Sequence, residues 1–438
     1  MPTNIASGQS PAMKLYSAAL FASWMQKNSR LKNLTGNLPQ QSEAESVIRQ
    51  QSSSKMPIVL IKDLTKEAGD EVIVDLINPY NAVPIMGDNT AEGKGGQLRF
   101  SDDRLRINQS RFPIDCGGVM SQQRTKWTLR SLGKAQGQSL ADRYCDQAQL
   151  VHLSGARGFH NNVEWAVPLA ADPVFSEIMV NRVKAPTRNR HFFATGGGIK
   201  PVSATAGALD IATTDSLNMD VVDAIRTLVE TMPLPPPPVE FEGDMMANDD
   251  PIRVLLVSAD TYTKFIQSGT GATAFRSFQA NAYQRGPTDE KGKKHALFMG
   301  DALLWNGILI IRMPKPIRFY AGNPLNWCPS TTSETETTTD LVPASFTVGG
   351  VPKFAVDRSI LLGGQALAMA LGGYMKSGLP FFWSEKELDH ANRLEILIGM
   401  INGMSKIRFK VNYGDAGDQY TDNGVIAIDS VVPITGLA

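Results

Sequence analysis

Cysteine is nearly absent from this chain of 438 residues: Cys116, Cys145 and Cys328 are an odd number without CxxC spacing. A disulfide framework and a zinc ribbon are thereby excluded, and the thiols are expected to be reduced and structural. An excess of charge of one sign is also missing, since 43 Lys plus Arg face 43 Asp plus Glu. Without a net positive field to gather phosphates, a dedicated duplex-binding protein is excluded. No apolar run approaches the roughly 20 residues that span a bilayer. The opening MPTNIASGQSPAMK also lacks the charged-then-apolar pattern of a signal peptide. The expectation is a soluble protein made in a cytoplasm, with no membrane partner.

Catalytic signatures are equally scarce. The five histidines, His152, His160, His191, His295 and His390, show no HxH or HExxH spacing and are read as surface or helix-end residues. Gly87 to Lys94 has the look of a phosphate loop, but five residues separate Gly87 from Gly93 where that loop has four, and Gly95 stands where Ser or Thr would bind magnesium. Gly196-Gly197-Gly198 lacks the strand-then-helix frame of a dinucleotide site. Neither Ser154 nor Ser268 lies in a G-x-S-x-G elbow, and Cys116 has no histidine near it in sequence. No catalytic, cofactor-binding or metal-ligating residue is assigned.

What the chain does have is 42% apolar and 20% charged residues, enough for a sizeable core divided into two or three lobes. Met13 to Leu34 reads as an amphipathic helix, with Leu15, Ala18, Ala19, Ala22, Trp24 and Met25 at helical spacing. Polar Gln40 to Ser54 has too little apolar surface to fold alone. From Pro57 the pattern turns β-rich: Ile58 to Ile61, then Val72 to Ile77, then Gln97 to Ile107 across a glycine-rich tract at Gly87 to Gly96. This spells a two-stranded ribbon with a soft tip, which is marginal in water unless another chain covers it.

Ser121 to Leu153 reads as one long helix of about 50 Å. Its stripe is Leu129, Leu132, Leu140, Tyr144, Ala148 and Val151, its stop is Gly155, and Gly133 and Gly137 bend it or admit close packing. Met219, Val222, Ile225 and Val229 mark a second helix, ended by the proline run Pro233 to Pro238. Pro251 to Ser258 reads as a buried strand, Ala259 to Gln267 as a helix, and Leu303 to Ile311 as a hairpin around Asn306-Gly307. Ser330 to Asp340 reads as a solvated loop. Asp357 to Tyr374 reads as a strand, a double-glycine turn and a small-residue helix. Lys406 to Val411 and Val425 to Asp429 read as two strands around an acidic turn. The fold class is α+β, without internal repeats.

Three blocks in order, KLYSAALFASWMQKNSRLKNLTG, LIKDLTKEAGDEVIVDLI and the stretch from GDNTAEGKGGQLRF to DQAQLVHLSG, resemble the major capsid proteins of N-four-like tailed phages. HALFMGDALLWNGILIIR, DRSILLGGQALAMALG, NRLEILIGMINGMSKIRF and DNGVIAIDSVV resemble that family's later blocks. The proline run and the threonine-rich tract depart from the pattern. The resemblance implies the Hong Kong 97-like capsid fold, divided here into an N-terminal arm (1–65) and an extended β-hairpin loop (66–118). A peripheral domain (119–220, with a spine helix at 121–153), a mainly axial domain with late return segments (221–400) and C-terminal strands (401–438) follow.

It further implies hexamers and pentamers closing into an icosahedral shell around double-stranded DNA, which is held without sequence-specific contacts. Portal, scaffolding and decoration proteins are the other implied partners, with assembly in the bacterial host cytoplasm. The residues expected to touch neighbouring subunits are Leu15, Trp24, Gly93, Gly95, Arg99, Asp102, Asp103, Arg104, Arg106 and Arg124. The competing readings are a different virion part and a cytoplasmic α/β enzyme with an unfamiliar site.

Overall fold

Short runs of β-branched and aromatic residues alternate with glycine turns along most of this chain, and in the computed structural model nearly all of these runs are strands. The described residues are 31, 34–35, 55–62, 69–77, 84–95, 100–124, 128–160, 164–202, 209–240, 252–267, 303–328, 330–332, 338–374, 378–412 and 417–434. The chain opens with β1 (Ile58–Ile61), β2 (Glu71–Ile77), β3 (Phe100–Arg106), β4 (Asn108–Gly118) and the helices α1 (Val119–Arg124) and α2 (Leu129–Ser154). Next come α3 (Phe175–Met179), β5 (His191–Thr195), β6 (Gly198–Pro201), α4 (Met219–Thr231), β7 (Arg253–Val257) and α5 (Ala259–Gln267). Small strands follow: β8 (Leu303–Trp305), β9 (Ile308–Arg312), β10 (Arg318–Tyr320), β11 (Pro324–Trp327), β12 (Thr338–Leu341), β13 (Thr347–Val348) and β14 (Val351–Pro352). The last are β15 (Phe354–Leu362), β16 (Leu367–Leu371), β17 (Phe381–Leu388), β18 (Arg393–Lys406), β19 (Arg408–Asn412), β20 (Asp418–Asp422) and β21 (Val425–Pro433).

Two sheets carry the structure. One has five strands in the order β1-β16-β18-β17, with β4 on the other edge of β18. The long helix α2 lies on it, and glycines set the separation. A Cβ on Gly137 would stand 2.6 Å from Ile114 Cδ1 and 2.7 Å from Ile398 Cδ1, and one on Gly133 would stand 2.7 Å from Cys116 Sγ. The buried stripe is therefore Gly133, Gly137, Ala141, Tyr144, Cys145 and Ala148, while Leu132 is exposed and Leu129 and Leu140 are half-buried. Small residues rather than leucines face the sheet because only they allow this approach. The helix is also shorter than expected: Thr128, in extended conformation, separates α2 from α1, so α2 spans about 39 Å. Its end is as expected, with Gly155 at φ +70° donating its N–H to the Val151 carbonyl.

The other sheet has eight strands, β6-β5-β21-β15-β7-β9-β8 with β10 on β15. Leu255, Val257, Ile308, Ile310, Leu361 and Ile426 on one face pack with Val221, Val222, Ile225 and Val229 of α4. Asn218 starts α4 by accepting a hydrogen bond from the Val221 N–H at 2.9 Å. Val254, Leu256, Leu309, Ile360 and Leu362 on the opposite face join a core shared with α2 and the first sheet. Asn306 and Gly307 turn β8 into β9 with φ of +46° and +72°, the hairpin geometry their sequence announces.

Several expectations are corrected. Leu367–Leu371 is strand β16, not a helix, because it is held between β1 and β18 and buried on both faces. Its alternation decides the matter: Leu367, Met369 and Leu371 enter the main core, while Ala368 and Ala370 enter a third cluster. The strands at 408–412 and 425–433 do not pair with each other, since β19 pairs with β20 and β21 with β15 and β5. The end of the threonine-rich tract is strand β12, paired with β11. His191 is fully buried in strand β5 rather than a surface or helix-end residue, and His152 is at a helix end, in the last turn of α2, but buried.

The boundaries expected at 118, 220 and 400 do not coincide with the sheets. β4 sits beside β18 and not in the ribbon, β5 and β6 join the eight-stranded sheet, and β18 runs continuously from 393 to 406. The expected first helix lies outside the described residues except for Leu31 and Leu34, both fully buried.

Replacing Gly137 with Val is expected to lower stability by about 1–3 kcal/mol through overpacking against Ile114 and Ile398. Leu140→Pro is expected to cost roughly 3 kcal/mol or more by breaking α2. Calorimetric melting reads both, and an unchanged midpoint for either would contradict this packing.

Candidate subunit interface

The ribbon begins with strand alternation. β2 and β3 are antiparallel in the register Glu71↔Arg106, Val72↔Leu105, Ile73↔Arg104, Val74↔Asp103, Asp75↔Asp102 and Ile77↔Phe100. One face, with Val72, Val74 and Leu105, packs on Ile407, Phe409, Val411, Val59 and Ile61 of the same chain. This corrects the expectation of a ribbon with nothing beneath it. The other face is uncovered: Ile73 is 48% and Phe100 66% exposed, and in the loop between the strands Met86 is 72% exposed. In the single chain these apolar side chains are open to solvent, beside the charged Asp102 and Arg104 of the same face.

The residues expected at the interface separate into groups. Gly93 and Gly95 lie in the exposed loop, with open space where a Cβ would project and φ of +77° at Gly93. Asp102 and Arg104 are exposed and 3.8 Å apart, a pair that contributes little by itself. Arg106 pairs with Glu71 across the strands. Arg124 is exposed at the end of α1, which also presents Val119 and Met120, each 60% exposed. Asp103 differs from all of these, because its carboxylate is largely buried and is held by residues outside the ribbon. Lys184 Nζ donates to its Oδ1 and Oδ2 at 2.8 and 2.7 Å, and the Arg408 N–H donates to Oδ2 at 3.0 Å. Leu15, Trp24 and Arg99 lie outside the described residues.

The subunit also holds a set of buried charges that sequence reasoning missed. On adjacent strands, Arg358 Nε and Nη2 hold the Asp429 carboxylate at 2.8 and 2.9 Å, and His191 Nε2 stands 2.7 Å from Asp429 Oδ2. Arg358 Nη1 also donates to the Ser154 carbonyl at 3.1 Å, tying the end of α2 to the eight-stranded sheet. A second group joins the end of β18 to the β19–β20 pair: Lys406 Nζ and Arg408 Nε hold Asp422 at 2.8 and 2.7 Å, and the Thr187 N–H donates to the same carboxylate at 3.2 Å. In a third, Arg318 holds Asp357 at 2.6 and 2.8 Å. The available signal was a charge inside an apolar strand, as in FAVDRSILL and VIAIDSVVP. Surrounded by side chains that exclude water, such residues need partners of opposite charge.

Burial alone would raise the Asp422 and Asp429 carboxyls, yet their cationic neighbours win. Arg408 and Lys406 bring Asp422 down to about 2, and Arg358 and His191 hold Asp429 well below the ordinary carboxylate range. Burial pushes His152 down to about 4 and also lowers His191. The His191–Asp429 pair has the form of a general-base dyad, but both side chains are inaccessible and Arg358 closes the group. It can orient and cross-link, and it cannot reach a substrate. Among the described residues no cluster of His, Cys, Asp or Glu could hold a metal ion, and no helix is long and apolar enough to cross a membrane.

The structure is thus a body of two sheets, braced by buried charge, that carries a ribbon with one exposed face. The comparisons with known proteins make the class specific. Residues 4–434 match the family model described as phage capsid protein, and the chain belongs to that family. It is a major capsid protein, a structural component of the icosahedral virion shell. Among solved structures, the capsid of Ralstonia phage GP4 is similar at 22% identity over 88% of this chain and 90% of that one, with a TM-score of 0.65. The cyanophage Pam1 capsid asymmetric unit is similar at 15% identity over 86% and 88%, with a TM-score of 0.52. The head structure of Helicobacter pylori bacteriophage KHP40 follows at 10% over 93% and 91%, with a TM-score of 0.54. These likenesses show the fold, a strand-rich α/β capsid fold. No curated protein matches the chain.

The depressed groups set the response to acid. In the unfolded chain His152 protonates near pH 6.5 and in the folded chain only near 4, so stability is expected to fall as pH drops through that window. The carboxylates act lower: the unfolded state takes up protons near pH 4 and folded Asp422 near 2, so a second loss is expected between those values. Calorimetry between pH 7 and 2 should show both losses. His152→Gln should reduce the upper one without removing it, because His191 titrates in the same sense. A melting temperature independent of pH across both windows would contradict the assignment.

Proposed function

We propose that this subunit joins its neighbours through the uncovered face of the β2–β3 ribbon, the exposed loop at 84–95 and the N-terminal arm. The shell is built of hexamers and pentamers and encloses double-stranded DNA. The carrying observation is the exposure of Ile73, Phe100 and Met86 on an element whose opposite face is already buried. Each contact is modest, and a subunit that makes several at once is held by their sum. Gly93 and Gly95 let the loop adapt to the differing neighbours of hexamers and pentamers. Asp102, Arg104 and Arg124 supply a surface of mixed sign that registers one copy on the next. Leu15, Trp24 and Arg99 extend the same contact surface.

The proposed organisation is Hong Kong 97-like. The five-stranded sheet with α2 serves as the peripheral lobe, the eight-stranded sheet with α4 serves as the axial lobe, and residues 1–65 form the arm, which docks on the first lobe through β1. The chain's zero net charge suits a container whose DNA must be compressed and later released, since a strongly cationic lining would grip it. The subunit's work is mechanical and not enzymatic. Portal and scaffolding proteins, and a decoration protein, are the further partners of this reading. Assembly takes place in the host cytoplasm.

Deletion of Gly87–Gly96 tests the reading. Sedimentation and electron microscopy of the parent should show closed shells, and the deletion should leave capsomers or malformed particles. Shells of normal yield and stability from the deleted chain would overturn the ribbon's role in assembly.

A further inference from the structure

The inner face of β3 carries one anomaly. Its alternation places Asp103 between Ser101 and Leu105, on the side where Val72, Val74 and Leu105 meet the third apolar cluster. A carboxylate in that position costs stability unless its lone pairs are satisfied. Lys184 satisfies both oxygens, and the Arg408 backbone N–H adds to one of them. Both side chains of the ion pair are less than one-fifth exposed.

The donors belong to segment 181–187 and to the β18–β19 junction. Lys184 Nζ also reaches the Lys406 carbonyl at 3.4 Å, Lys406 and Arg408 hold Asp422, and the guanidinium of Arg408 donates to the Ala185 carbonyl. Three residues along β3, the backbone of Arg106 makes a second tether. The Arg106 N–H donates to Asn181 Oδ1 at 2.9 Å, and Asn181 Nδ2 donates to the carbonyls of Arg106 at 2.8 Å and Met404 at 3.0 Å. Segment 181–187 thus grips β3 at two points and the β18–β19 junction at several more. Two separated points on one strand fix an angle, which a single point does not.

We infer that Asp103 and Lys184 are positioning residues that set the angle of the ribbon on the subunit and couple it to the β18–β19 junction and the β19–β20 pair. A load applied by a neighbour at the exposed tip passes through Asp103 into Lys184 and Arg408 and reaches the buried Asp422. Without the pair, the Asn181 tether and the apolar contacts of Val72, Val74 and Leu105 remain, and the ribbon is held less tightly at Asp103. This inference deepens the proposed assembly role of the ribbon and rests on that reading for its consequence, but the coupling itself lies within one chain.

The experiment is hydrogen exchange on the unassembled full-length subunit, comparing the parent with Asp103→Asn, Lys184→Met, the double variant and Arg104→Ala as an exposed control. Both single variants are expected to raise exchange at β2 and β3 by about tenfold or more while β15 and β21 keep parental rates. The double variant is expected to match the singles, because either change alone breaks the same contact. Arg104→Ala should leave the ribbon unchanged.

Parental exchange in the ribbon of both single variants would overturn the inference. So would effects that add in the double variant, or a rise shared equally by β15 and β21, which would mean general destabilisation. If Asp103→Asn fails to fold, Lys184→Met carries the test, since it leaves the carboxylate and its two backbone donors in place. Failure of the parent to form shells would instead count against the assembly reading, and exchange on the single subunit distinguishes the two failures.

Discussion

A two-stranded ribbon has two faces, and its own subunit can cover only one of them. In β2 and β3 that division is complete: Val72, Val74 and Leu105 rest on the third apolar cluster, while Ile73 and Phe100 face outward with no cover of their own. Isolated ribbons are marginal because half their apolar surface stays wet and their edges stay unpaired. The rest of the architecture follows from presenting such an unfinished face at a defined angle.

Presentation requires a body that does not yield, and two devices supply it. The first is close packing. Gly133 and Gly137 bring α2 down onto Ile114 and Ile398, so the helix and the five-stranded sheet move as one layer. The second is buried charge. Arg358 joins Asp429 and His191 to the last turn of α2, and Asp422 gathers Lys406, Arg408 and the Thr187 backbone. Buried ion pairs add little to net stability, but removing one partner leaves an uncompensated charge, so they penalise every arrangement except the native one. That property suits a subunit whose neighbours must find its surfaces in fixed positions.

Local pattern made much of this legible. The ribbon, α4 with Met219, Val222 and Ile225, the hairpin at Asn306-Gly307 and the Gly155 stop all follow from short-range periodicity and turn chemistry. Failures came where long-range pairing overrides local preference. LAMAL has the composition of a helix and becomes β16 because β1 and β18 flank it. The 14-residue β18, the hub of the first sheet, could not be assigned a role from its own residues, because its partners β4, β16 and β17 lie elsewhere in the chain. At the interface, charge pattern alone grouped Asp103 with Asp102 and Arg104. Only the distant Lys184 and Arg408 distinguish it. The buried His191 was invisible for the same reason, its partner Asp429 lying 238 residues away.

On the proposed assembly, the outward face of the ribbon is open in the single subunit and closed in the shell. Hydroxyl-radical footprinting of Met86, Ile73 and Phe100, before and after assembly, measures this directly with Val72 and Leu105 as internal references. Strong oxidation of the first three in the free subunit and their protection in the particle, with Leu105 protected in both, is the predicted result. Equal oxidation of Met86, Ile73 and Phe100 in both states would contradict it.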